Sequence, residues 1–340
     1  MTPRFRPRRP LGRTGFVATV IGQGDLADRA VPRERCVATL RRALDAGVNV
    51  LDTAPMYEDG YSEELVGEAV RGLVGAGGRR EDVFVVDKLD VLDAPVAPQL
   101  DASLARLGLP GVDLAAFHAV KKLAQWEALA AKGGGLDQLE AEVRRGRVRF
   151  RGISSHDPDV LAAALDDGRC DVLMFPVGLY VARRYVTEIL PRARAAGVGT
   201  ICFKTFGAGK LLGDTEGYGR PLASRPRGKV SSGGGGAPTS SARRGGGSTP
   251  GDAAGEDAAS PTLPRLDVAT CVRYTLTVDP DVALLGLSFA NEQDAAWAAV
   301  EAFTPMGEDE QRAARLAAWE AAKDKGEIWW NPPPQIPGRT

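Results

Sequence analysis

Strand-like apolar runs alternate with helix-period segments eight times along this 340-residue chain, and that alternation limits its fold more than any other feature. The strand-like runs are VATVIGQG (17–24), VNVLD (48–52), VFVVDK (83–88), DLAAFH (113–118), RFRGISS (149–155), DVLMFPV (171–177), GTICFK (199–204) and VALLGLS (282–288). Helix-period residues follow each one, over 33–46, 62–73, 97–107, 136–146, 158–167, 185–196, 266–278 and 291–303. Gly47 and Gly197 are stop signals, and Ser62 stands as an N-cap before an acidic first turn. Repeated strand–helix units imply a parallel sheet covered by helices, and eight units is the number that closes a (β/α)8 TIM barrel. An open doubly wound sheet is the alternative, but Gly22-Gln23-Gly24 lacks the third glycine of a dinucleotide fingerprint. RPLGRTGF (9–16) reads as a hairpin or cap ahead of the first strand. One barrel domain is therefore expected over 9–303.

Two segments break the pattern. In 214–264, Gly, Pro and Ser supply 25 of 51 residues, too polar a mixture to offset chain entropy by burial, so a disordered insertion is expected after strand seven. Its basic residues (Arg220, Arg225, Arg227, Lys229, then Arg243 and Arg244) leave open a lid over an anionic ligand beside the plainer reading of a solvated tether. Over 304–340, a charged helix (309–325) leads into an extended WWNPPPQIPG.

Composition excludes several classes. At 44% hydrophobic residues the chain can fill one large core, and a net charge of −1 lacks the basic excess of a nucleic-acid binder. No 18-residue apolar stretch exists to span a membrane, and the basic N-terminus has no secretory apolar run. The scattered Cys36, Cys170, Cys202 and Cys271 form neither a zinc pattern nor a disulfide framework, which fits the cytoplasm.

Function in such barrels sits at the C-terminal ends of the strands. Strand two ends at Asp52 and runs into a loop bearing Tyr57; strand three ends at Lys88 and strand four at His118, with His156 after strand five. An ammonium beside a phenol favours the phenolate and lowers its pKa, and a carboxylate steadies the ammonium. The phenol can then protonate a carbonyl oxygen, and a histidine can donate a hydrogen bond to it. Singly, each residue has a plain explanation: a turn cap, a surface ion pair of Lys88 with the flanking Asp87 or Asp90, a core histidine. Four on successive strand ends are harder to explain that way.

GVNVLDTAPMYEDGYSEELVGEAV (47–70) resembles the aldo-keto reductase signature G-x-N-x-x-D-T-A-x-x-Y followed by S-E-x-x-L-G, and LARLGLPGVDLAAFH (104–118), GRVRFRGISS (146–155) and GAGKLLG (207–213) extend the likeness. The resemblance implies a nicotinamide-dependent oxidoreductase reducing an aldehyde, ketone or sugar, a small-molecule substrate with no nucleic-acid or membrane partner. It implies a catalytic set of Asp52, Tyr57, Lys88 and His118, with Tyr57 as general acid. It also implies cofactor contacts from Ser154, Ser155, Phe203, Lys204, Gly207, Lys210, Gly286 and Ser288, and no metal. The chain departs in having Ser155-His156 after Ser154, Asp87 before Lys88, and no Lys or Arg in GLSFANEQDAAW (286–297). The resemblance favours NADP slightly, and NAD stays open; Lys204, Lys210 or the insertion's arginines would supply charge for a phosphate. The competing reading is a non-catalytic nicotinamide-sensing regulatory or scaffold protein on the same barrel.

Overall fold

Period-two alternation in the short apolar runs fixes which side chains meet. In the computed structural model, which describes residues 3–212 and 264–323, eight parallel strands close a barrel in the order β3 (Ile21–Gln23), β4 (Val50–Asp52), β5 (Phe84–Leu89), β6 (Val112–Val120), β7 (Val148–Ser155), β8 (Val172–Pro176), β9 (Gly199–Phe203) and β10 (Val282–Leu285). Val50, Phe84, Val86, Leu114, Ala116, Val172, Met174, Ile201, Val282 and Leu284 fill the interior. Leu51, Val85, Ala115, Ile153, Leu173 and Cys202 face outward, under the helices. The insertion expected over 214–264 and the end of the chain beyond residue 323 lie outside the described residues, apart from Pro264.

The first strand-like run is divided. Val17–Ala18 (β2) pairs antiparallel with Arg9–Pro10 (β1), and only Ile21–Gln23 enters the barrel. The break falls where Thr19 and Asn49 bond: the Thr19 amide donates to Asn49 Oδ1 at 2.8 Å, and the Thr19 hydroxyl donates to the Ile21 carbonyl at 2.7 Å. The expected hairpin therefore runs to Ala18, and it has a job. Leu11, Phe16 and Ala18 pack into the interior cluster, Phe16 lying 5.1 Å from Phe84, so the hairpin plugs the N-terminal end. Full burial of a leucine like Leu11 is worth about 1.5–3 kcal/mol.

The helices are α1 (Arg33–Asp45), α2 (Tyr61–Gly75), α3 (Val96–Leu107), α4 (Leu123–Ala130), α5 (Gly135–Arg144), α6 (Pro158–Asp167), α7 (Leu190–Ala195, after a π turn at Tyr185–Ile189), α8 (Val268–Val278), α9 (Ala290–Glu301) and α10 (Glu308–Ala322). Helix α4 lacks a counterpart in the sequence reading, because its eight residues bury only Trp126 and Leu129 and carry a weak period. Helix α10 lays Trp319 against Tyr180, 5.3 Å between rings, beside the loop that follows β8. The chain leaves the barrel after β9 and rejoins it where the Leu266 amide donates to the Leu211 carbonyl at 2.8 Å. Among the described residues no helix is long and apolar enough to cross a membrane.

Candidate active site

Inward register places Asp52, Lys88 and His118 on three adjacent strands: Asp52 lies beside Val86, and Lys88 beside Ala116. Lys88 is only 2% exposed, and its Nζ donates to Asp52 Oδ1 at 2.6 Å and to the Thr53 carbonyl at 2.8 Å. The same ammonium lies 4.7 Å from the centre of the Tyr57 ring. Burial works against its charge, but Asp52 and Tyr57 outweigh burial and hold the lysine pKa above its usual value. Tyr57 differs from the expectation. Lys88 does pull the phenol down, yet burial is the larger effect, Asp52 adds to it, and the net shift is upward. The half-buried Tyr57 therefore keeps its proton at neutral pH.

A strained loop holds the phenol in place. Glu58, Asp59 and Gly60 are all left-handed, at φ 50°, 52° and 82°. Gly60 cannot be replaced cheaply, since a Cβ there would lie 2.5 Å from Arg106 Cδ. Helix α2 begins directly after it at Tyr61, so Ser62 is not the N-cap. Ser62 is inside the first turn instead, and its hydroxyl accepts from Thr53 Oγ1 at 2.9 Å, tying the helix to the end of β4.

His118 brings a partner with it. Its Nδ1 meets Asp90 Oδ1 at 2.5 Å, and Asp90 Oδ2 accepts from the Met56 amide, next to Tyr57, at 2.6 Å. The two rings stand edge to face, 5.7 Å apart. After His118 the strand bulges: Ala119 is left-handed (φ 52°), and its amide donates to Ser154 Oγ at 3.1 Å. Burial lowers the His118 pKa, and with Lys88 it outweighs the help of Asp90. A carboxylate only accepts, so the proton of the neutral ring sits on Nδ1. The donor role expected for this histidine then belongs to its imidazolium alone.

Asp87 points outward, as alternation requires, into a buried space beside Glu63 and Ser103. Burial first, then Glu63, push its pKa up to about 8. Glu63, itself fully buried, is paired with Arg106 at 2.5 Å. No hydrogen bond reaches Asp87 Oδ1 among the described residues.

The other expected residues divide into two groups. Ser154 faces inward; it accepts from Ala119 and keeps its own proton to donate. Ser155 faces outward and donates to the Val120 carbonyl at 2.6 Å, which removes it from the site. Phe203 ends β9 at an inward position, 5.2 Å from His156, whose pKa burial and Lys204 push down to about 3. Lys204 is left-handed (φ 76°), lies 5.8 Å from the Phe203 ring centre, and is pushed down to about 8 by burial. Gly207 shapes the following turn at φ 57°, and Lys210 is lowered by burial too. Beyond β10, Gly286 is exposed, but the Ser288 amide is occupied: it donates to Glu292 Oε2 at 2.7 Å, as does Phe289 at 3.3 Å. Cations near this helix start come from α1: Arg35 lies 4.8 Å over the Phe289 ring, and Arg42 donates to the Ala290 carbonyl at 3.0 Å. Asp25 and Arg35 escaped the sequence reading, and Asp90 entered it only as a surface ion-pair candidate, whereas it meets His118 and the Met56 amide. Asp25, next to Asp52 at the end of β3, carries a carboxyl raised chiefly by burial.

The sequence pattern of the Aldo/keto reductase family matches residues 19–239. The chain belongs to the aldo/keto reductase family. Two curated relatives of this reductase family are L-galactose dehydrogenase of Arabidopsis thaliana, 28% identical over 225 residues, and NADH-specific methylglyoxal reductase of Escherichia coli (strain K12), 26% identical over 224. Each match covers 60% of this chain and 66% of the relative, just under two thirds of that protein's length. An aldo-keto reductase from Bacillus halodurans in holo form shares the fold at TM-score 0.63 and 20% identity, covering 93% of this chain and 98% of that one. An aldo/keto reductase from Klebsiella pneumoniae in complex with NADP and acetate aligns at TM-score 0.61 and 19% identity, covering 93% and 96%.

Proposed function

We propose that this aldo/keto reductase is an NAD(P)H-dependent carbonyl reductase in which Tyr57 is the general acid. The observation that carries the reading is the buried Lys88 ammonium, bonded to Asp52 and set against the Tyr57 ring. A bound dihydronicotinamide supplies hydride to the carbonyl carbon. Tyr57, protonated at neutral pH, gives its proton to the carbonyl oxygen, and Lys88 stabilises the phenolate left behind. Asp52 holds the ammonium through that step. Ser154, with a proton to donate, fits the nicotinamide amide; Phe203 offers a ring face, and Lys204 and Lys210 offer charge to phosphates. Ser155 has no part in this reading.

The relatives' names support NADH or NADPH as the reductant, and the reductase names support a carbonyl substrate. Helix α9 bears on the choice between cofactors. Glu292 already occupies the Ser288 and Phe289 amides, so a further anionic group at this helix start meets a carboxylate. Tyr57→Phe tests the acid. We expect turnover to fall by about 10²–10⁴-fold, with the cofactor Kd within twofold of wild type in a fluorescence titration. Retained reductase activity across an aldehyde, ketone and sugar panel refutes the role. Failure to bind either cofactor favours the scaffold reading, and binding without turnover favours the sensing one.

A further inference from the structure

Asp90 answers two partners with two oxygens, Nδ1 of His118 and the amide of Met56, and so joins strand β6 to the loop that carries Tyr57. The Nδ1 contact assigns the ring proton: facing a carboxylate, that nitrogen donates, and the opposite nitrogen of the neutral ring carries a bare lone pair. No hydrogen bond reaches Nε2 among the described residues. The ring stands beside the phenol, edge to face at 5.7 Å. A ring that carries a donor (Tyr57) and a ring that carries an acceptor at Nε2 (His118) are therefore neighbours. That is the complement of a carbonyl oxygen flanked by a hydroxyl. We propose that Asp90 is a positioning residue that fixes His118 as the Nδ1–H tautomer, so that Nε2 accepts from substrate and the site favours carbonyl compounds bearing a hydroxyl on the adjacent carbon.

This inference rests on the reductase reading for its substrate half, and for its tautomer half on the Asp90 contact together with the burial of the ring. The groups facing His118 agree with a neutral ring. Burial and the Lys88 ammonium lower its basicity and together outweigh Asp90 and Asp52. The argument also makes Asp90→Asn informative rather than merely disruptive. The Met56 amide can only donate, so the asparagine must turn its single oxygen there and offer its NH₂ to His118 Nδ1. That reverses the ring: Nε2 gains the proton and changes from acceptor to donor.

Two measurements test it. With only two histidines in the chain, long-range ¹H–¹⁵N correlation on ¹⁵N-labelled protein at neutral pH reads the tautomer directly, the His156→Gln variant separating the signals. We expect Nδ1–H in wild type and Nε2–H in Asp90→Asn. The second measurement is kcat/KM for two shape-matched pairs: hydroxyacetone against butanone, and 2-hydroxypropanal against 2-methylpropanal. Intrinsic reactivity cancels when the hydroxyl-to-methyl ratio is compared between proteins. We expect that ratio to fall about tenfold in Asp90→Asn, as for one lost substrate hydrogen bond. A wild-type His118 carrying its proton on Nε2, or on both nitrogens, overturns the proposal, as does an unchanged ratio in an Asp90→Asn protein whose tautomer has reversed. If the variant does not fold, the wild-type spectrum still decides. Wild-type protein that reduces neither member of either pair overturns the reductase reading and the hydroxyl preference with it, while an Nδ1–H signal upholds the role of Asp90.

Discussion

Replacing Lys88 by methionine keeps most of the side-chain volume and removes one charge from a place with almost no water. Asp52, 6% exposed, then loses its cation, and the Thr53 carbonyl loses a donor at 2.8 Å. Breaking a buried pair from one side costs about 3–5 kcal/mol, because the remaining charge is left uncompensated. For a barrel of this size each kcal/mol is worth about 2–4 °C, so Lys88→Met is expected to lower Tm by about 6–20 °C. Removing the second charge as well, in Lys88→Met/Asp52→Asn, relieves that residual charge. The double variant should therefore be more stable than the sum of the two single losses allows. Urea denaturation of the four proteins measures the coupling directly. A loss below about 1 kcal/mol for Lys88→Met, or strict additivity in the cycle, would show that the 2.6 Å contact carries no buried-pair energy. The reasoning about the phenol would then fail too, since it relies on the same desolvated ammonium.

Asp87→Asn tests the outward-facing carboxyl. Its pKa is raised in the fold to about 8 from 3.8, so the folded chain holds a proton that the unfolded chain releases; the resulting stability is complete below about pH 4 and is lost as pH rises to 8. The asparagine variant should accordingly lose less stability than wild type between pH 5 and pH 9, read as the shift in urea midpoint; equal losses would place the titration elsewhere. Gly67→Ala adds a methyl 1.9 Å from the Leu107 carbonyl, forcing α2 away from α3, and should destabilise by about 1–3 kcal/mol despite alanine's better helix propensity; a neutral result in thermal unfolding would refute the close approach.

Much of the barrel was legible because burial on both faces of a parallel strand writes apolar runs into the sequence. The same alternation placed Asp52, Lys88 and His118 inward and sent Asp87 outward. It also separates Ser154 from Ser155, a distinction the motif alone blurs. What escaped were contacts between loops. Asp90 lies one residue past β5 and meets a histidine 28 positions later, and no spacing rule links the two. The division of the first strand depends on Thr19 finding Asn49, thirty residues away. Arg35 reaches Phe289 only because the closed barrel makes α1 and α9 neighbours. Tyr57 shows the limit for electrostatics: a neighbouring charge can be read from sequence, but the degree of desolvation that outweighs it cannot.

The hydrogen bond from Leu266 to Leu211 sets departure and return of the chain at one point on the barrel wall. The sequence between these two residues joins anchors already held by their own surroundings, so a change in its length is expected to act mainly through closure entropy. Each doubling of such a span adds only about 0.6 kcal/mol of closure entropy. We therefore expect the scaffold to accept grafted, shortened or exchanged sequence here while the eight strands keep their register.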